Sequence, residues 1–218
     1  MNEKRILLVH GIHSKEGESN VWNMKKPLEQ ATGLPVVVFE YGFVNFAQAR
    51  FQNQAIAKRL AHIMLPGDIV VNHSNGAAVT WLATHKEGAR PAGVVMLQPA
   101  LDEWRMPICD WAHVYYNPED SIVWWSGLLW GNIWGPMGRI GYRGNGDEIL
   151  QKQDFAVQAV GEENYRTTIH QFDTINDASM FGLPEASGHL AVFQSPDVQP
   201  WGRFVGSRIL DHLQGVRP

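Results

Sequence analysis

Four short runs in this chain are apolar from end to end: Ile6–Val9, Val36–Phe39, Ile69–Val71 and Val94–Leu97. A strand with one wet face alternates polar and apolar residues, whereas these runs offer no polar face to water. They therefore predict strands covered on both faces, the signature of a parallel sheet between two layers of helices. The intervening segments supply the helices. One spans about Val21 to Thr32 and is stopped by Gly33; another, Phe46 to Leu65, carries Ala47, Phe51, Ile56, Leu60, Ile63 and Met64 at helical spacing before Pro66-Gly67. Further strands are predicted at Trp111–Asn117 and over Tyr165 to Phe172, with a last helix from about Pro200 to Leu213. The alternation specifies an α/β three-layer sandwich with a mostly parallel sheet, and 218 residues suit a single domain over 1–218.

One junction carries chemistry. Gly67-Asp68 opens a strand, Ile69-Val70-Val71, that runs through Asn72-His73-Ser74-Asn75-Gly76 into a helical stretch beginning Ala77-Ala78-Val79. A lone serine on a tight strand-to-helix turn is pushed out of the sheet, above a helix N-terminus with free N–H groups. The usual pattern is G-x-S-x-G, and here Asn72 replaces the first glycine. Asn is small and tolerates unusual backbone angles, so the junction reads as a variant of that turn. An ordinary helix N-cap would also place a serine there.

Composition excludes several classes. A 44% hydrophobic and 18% charged chain is globular, and a net charge of −4 offers no basic patch for nucleic acid. The single cysteine, Cys109, can form no internal disulfide and reads as a buried apolar residue. Ile6–Val9 is too short for a signal-peptide core, so the expected location is cytoplasmic, or otherwise without a classical signal peptide. No apolar run reaches the ~18 residues of a transmembrane segment. His10 and His13 lack an acidic or cysteine partner at ligand spacing, so no metal and no cofactor are expected.

A serine hydroxyl needs a base, and the base needs an orienting carboxylate. Candidates fall after predicted strands in the order Ser74, Asp120, His189. Glu119 and Asp102 are alternative acids. His170 is an alternative base, but it lies inside a strand-like run and reads as a packed residue. This order and these placements resemble the α/β-hydrolase superfamily, particularly its small, compact serine esterase and lipase-like members, over nearly the whole chain. The resemblance implies Ser74 as nucleophile, His189 as general base and then acid, and Asp120 as the residue orienting the imidazole. It implies an oxyanion hole from the backbone N–H of Asn75 and one from the loop after His10-Gly11, that of Ile12, with His13 next in line. His10 would brace that loop.

The segment 122–146 is rich in Trp and Gly. It reads either as a core helix followed by a glycine-fixed loop or as a substrate wall or small cap, with Trp124, Trp130 and Trp134 as candidate substrate contacts beside His13. The expected activity is hydrolysis of a carboxylic ester, on a small-molecule or lipid-like substrate, through an acyl-enzyme. An acyltransferase or thioesterase would use the same three residues, and a non-catalytic binding module on this fold is the rival from another class. Oligomeric state is not legible.

Overall fold

The computed structural model describes residues 4–13, 20–123, 134–144, 157–160, 166–194 and 197–215. Its centre is a seven-stranded sheet. In chain order the strands are β1 (Ile6–Val9), β2 (Val36–Phe39), β3 (Ile69–His73), β4 (Gly93–Leu97), β5 (Trp111–Tyr116), β6 (Val157–Val160) and β7 (Arg166–Asp173). Their spatial order is β2-β1-β3-β4-β5-β7-β6. Every neighbouring pair is parallel except β6 with β7, which is antiparallel. The predicted mostly parallel sheet is thus present, with β6 as an edge strand that the sequence pattern did not reveal.

The helices are α1 (Val21–Thr32), α2 (Phe46–Ile63), α3 (Asn75–His85), α4 (Met137–Ile140) and α5 (Val198–Leu213). Alternation along each strand divides the core in two. Leu7, Val9, Val70 and Val94 pack with α2 and α3 through Ile56, Leu60, Val79 and Leu82. Ile6, Leu8, Ile69, Val71 and Val95 pack with α1 and α5 through Met24, Leu28, Trp201, Val205 and Ile209. All of these side chains are buried, which is why the strands could carry no polar face.

Local signals set the helix ends. Gly33 ends α1 in the left-handed region (φ 68°), its N–H bonded to the Glu29 carbonyl. Asn45 and Gln48 form a reciprocal capping box at the start of α2. The turn into β3 is fixed by buried Asp68, whose carboxylate accepts from Arg5 Nη2 at 3.1 Å and from the Leu65 N–H at 2.8 Å. The parallel strands leave their carboxyl ends, and the loops that follow, on one side of the sheet.

Candidate active site

β3 ends at His73 and α3 begins at Asn75, so Ser74 alone makes the turn. Its φ of 52° and ψ of −122° lie where L residues rarely sit. The approach of neighbouring backbone explains two glycines. A Cβ on Gly76 would stand 2.6 Å from the Val9 carbonyl oxygen, and one on Gly11 would stand 2.9 Å from Ser74 Cβ. Asn72, where glycine is usual, has its side chain fully buried under α3. There its Nδ2 donates to Thr80 Oγ1 at 3.2 Å, and that hydroxyl donates to the Gly76 carbonyl at 2.8 Å. The replacement is accommodated by a polar contact with the helix it precedes.

The peptide after Ser74 is held from α2. Asn53 and Asn75 exchange side-chain amide bonds at 2.8 and 3.0 Å, and Trp134 Nε1 donates to Asn75 Oδ1 at 2.8 Å. As the first residue of α3, Asn75 has a backbone N–H beyond the reach of the intrahelical ladder.

Opposite it, the loop after β1 is braced by His10. Its Nδ1–H donates to the Gly11 carbonyl at 2.7 Å, its Nε2 accepts the Tyr41 N–H at 3.3 Å, and its ring stacks on Tyr41 at 3.8 Å. The Tyr41 hydroxyl lies 2.7 Å from the His10 carbonyl and 3.0 Å from that of Gly11. The His13 N–H is given to the Val44 carbonyl at 2.9 Å, whereas that of Ile12 has no partner among the described residues. Of the two loop N–H groups considered, Ile12 is the one left open.

Asp120 is fully buried just beyond β5. One carboxylate oxygen accepts the Val123 N–H at 3.0 Å, and the other accepts from His189 Nδ1 at 2.6 Å. It thus caps a helical turn and orients an imidazole at once. Glu119 Oε2 accepts a hydrogen bond from the Ser187 hydroxyl instead, and Asp102 Oδ1 closes a local turn with the Trp104 N–H at 2.9 Å. His170 lies within β7, opposite His113 of β5 and among packed rings.

Asn117 holds the loop that carries His189. Its Nδ2 donates to the Ala186 carbonyl and, at 3.4 Å, to that of Gly188, while its Oδ1 accepts the Glu119 N–H at 2.9 Å. His73 Nε2–H adds a bond to the His189 carbonyl at 3.1 Å, with the two rings 4.6 Å apart. Burial, reinforced by His189 beside it, holds the His73 pKa well below the ordinary histidine value, so its ring is neutral at pH 7. Burial lowers His10 likewise and raises the Cys109 thiol. Asn53, Tyr41 and Asn117 were not singled out from sequence. The only signal for Asn117 is its place between a strand end and Pro118.

Ser74, Asn75, His189, Ile12 and His13 line one cavity of about 310 Å³, with Phe46, Ala100, Ile122, Val123, Trp134 and Leu190 among its walls. Neither Ser74 Oγ nor His189 Nε2 has a hydrogen-bond partner among the described residues, so both are open to a guest. Trp134 is brought to the site; Trp124 and Trp130 lie outside the described residues.

No family profile matches the sequence, and no curated protein does. Solved structures do. One from a study of LipS and LipT, two metagenome-derived lipolytic enzymes, superposes with a TM-score of 0.51 over 98% of this chain and 94% of that one, at 11% identity. Est1E from Butyrivibrio proteoclasticus matches with a TM-score of 0.50 over 97% and 90%, at 10% identity. The chain has the α/β-hydrolase fold. A hydrolase from Oleispira antarctica is 23% identical, but the alignment covers 49% of this chain, less than half (42%) of the length of that one, and has a TM-score of 0.37. Among the described residues, no helix of this α/β-hydrolase fold is long and apolar enough to cross a membrane.

Proposed function

We propose that the protein is a serine hydrolase that cleaves a carboxylic ester through an acyl-enzyme. The observation that carries this reading is the short bond from His189 Nδ1 to buried Asp120, in a cavity shared with a serine on a left-handed turn. Asp120 keeps the His189 proton on Nδ1, so Nε2 presents its lone pair to the cavity. Nε2 takes the proton of Ser74 as Oγ bonds to the ester carbonyl carbon. The oxygen that becomes negative is received by the N–H groups of Asn75 and Ile12, each worth about 10²–10³ in rate in comparable sites. His189 then passes its proton to the leaving alcohol. Water, deprotonated by the same nitrogen, releases the acid and restores Ser74.

Apolar walls, with no Asp, Glu, Lys or Arg lining the cavity among the described residues, favour an uncharged, small or lipid-like ester. Ester over thioester or acyl transfer is the choice of simplest chemistry, since the same three residues serve all of them. The whole sequence, 1–218, is read as one such domain.

The test is incubation with a fluorophosphonate, followed by peptide mapping. Modification of Ser74, lost in Ser74→Ala and in His189→Ala, is the expected result. Folded protein that stays unmodified would instead support a binding module on this fold.

A further inference from the structure

A second group of histidines lies away from the cavity, between the sheet and α5. His113 of β5 and His170 of β7 are directly opposite each other in the parallel register. They share a strand face with Trp111, Tyr115 and Phe172, the face that packs on α5. His212, in the last turn of α5, closes the group. The three ring centroids are 5.0, 5.2 and 5.3 Å apart. One nitrogen from each lies within 4.8 Å of the others, and His113 Nε2 and His212 Nε2 share a hydrogen bond at 2.9 Å that a bound ion would replace. Trp111 stacks flat on His212 at 4.3 Å and fixes its plane.

Packing alone is a poor reason for this arrangement. Three polar rings under a helix carry six nitrogens, and among the described residues no carboxylate is hydrogen-bonded to His113 or His212, though the Asp211 charge reaches His212. His113 Nδ1, fully buried, has no hydrogen-bond partner among the described residues. Burying such groups without satisfying them is costly, and an aliphatic trio would fill the space more favourably. A zinc-class ion at about 2.0–2.1 Å from each imidazole nitrogen, in tetrahedral geometry, needs nitrogens about 3.4 Å apart. The observed spacings bracket that value, so small side-chain rotations suffice. Imidazole suits zinc, copper and nickel over magnesium or calcium. The last turn of a helix also favours a cation, because its free carbonyls carry partial negative charge. Arg208, whose charge reaches His113, has Asp211 at 3.5 Å and lies over the rings of Phe172, Phe181 and Phe204.

We infer that His113, His170 and His212 bind one divalent transition-metal ion of the zinc class, with water as the fourth ligand, and that the ion clips β5, β7 and α5 together. His212 is only partly buried, which gives the water and the ion a way in. The inference is independent of the proposed esterase chemistry, since none of the three residues lines the cavity of Ser74.

Cobalt(II) titration of chelator-stripped full-length protein tests it. One equivalent should bind and give the intense visible absorption of a four-coordinate ion. Zinc should displace the cobalt and raise Tm by roughly 5–10 °C at about a hundred times Kd. His212→Gln should weaken binding at least tenfold, and His189→Ala should leave it intact. Only the weak spectrum of hydrated cobalt with wild-type protein would overturn the site, a result that needs no variant to fold. Binding unchanged in His212→Gln and lost in His189→Ala would place the ion at the catalytic histidine and overturn it equally.

Discussion

Two groups of histidines pack against the sheet, and only one of them has a carboxylate hydrogen-bonded to a ring. Beside the cavity, His189 has Asp120 at 2.6 Å and a neutral neighbour, His73, whose own proton is committed to a backbone carbonyl. Under α5, His113 and His212 are bonded ring to ring, and His170 packs against both. An imidazole with an anion on Nδ1 can accept a proton on Nε2, because the resulting cation is matched. Burial and the neighbouring rings hold His113 and His212 below the ordinary histidine value, so both keep a lone pair, the property of a ligand and not of a base. The same residue type is therefore set to different chemistry by one neighbouring side chain. The supports differ too. The first group sits on loops at strand ends, held by bonds from Asn117 and His73; the second sits on two strands and a helix.

The comparison can be broken at its carboxylate first. Asp120→Asn should keep the fold and lower kcat by about 10³–10⁴, because the amide favours the wrong imidazole tautomer. Steady-state kinetics on an activated ester checks this, and unchanged kcat would transfer the orienting role to another acid. Asn117→Ala should free the loop of His189 and lower kcat by about 10², with little change in KM, as expected for a misplaced base. His170→Ala acts on the other group. It should lower unfolding free energy by about 2–4 kcal/mol through the cavity it leaves, read as a shifted urea midpoint. His189→Ala should move that midpoint far less, and the reverse pattern would exchange the two histidines' roles.

The smallest effect is in the pH dependence of stability. The folded pKa of His73 lies well below its unfolded value of about 6.5, so between the two the unfolded chain binds a proton that the folded chain refuses. Stability should be full above about pH 6.5 and fall as pH drops, by up to about 1.4 kcal/mol per unit for each such group. His10 contributes in the same direction. His73→Gln, which keeps a donor for the His189 carbonyl, should flatten the slope in urea titrations between pH 4 and 7; an unchanged slope would assign it to other groups.

The strands were legible because a fully apolar run has one physical reading, and Ser74 because a serine between a buried strand and a helix is a local pattern. Helix ends were legible to within a few residues where a stop signal marked them, as at Gly33, whereas the Asn45 cap of α2 emerged only in the structure. β6 was not legible, since a short edge strand paired on one side needs no distinctive run of residues. The braces Asn53, Tyr41 and Asn117 were hidden for a different reason. Each acts through partners 22 to 71 positions away, and no spacing in a single sequence records such pairs. The histidine trio is the extreme case, its members joined only when β5 and β7 pair and α5 docks. Asp120 shows the opposite: two readings, helix cap and acid beside His189, competed in the sequence, and one oxygen accepts the Val123 N–H while the other accepts from the His189 ring.

Ser74 is held at a positive φ that glycine would occupy at no cost, a conformation worth roughly 1–3 kcal/mol of strain for a residue with a Cβ. Selection for heat resistance alone would therefore push position 74 towards glycine and, on the proposed function, yield a hardier protein with nothing to attack a carbonyl. Any programme to toughen this scaffold has to screen for turnover alongside melting temperature, because at that one residue the two objectives pull apart.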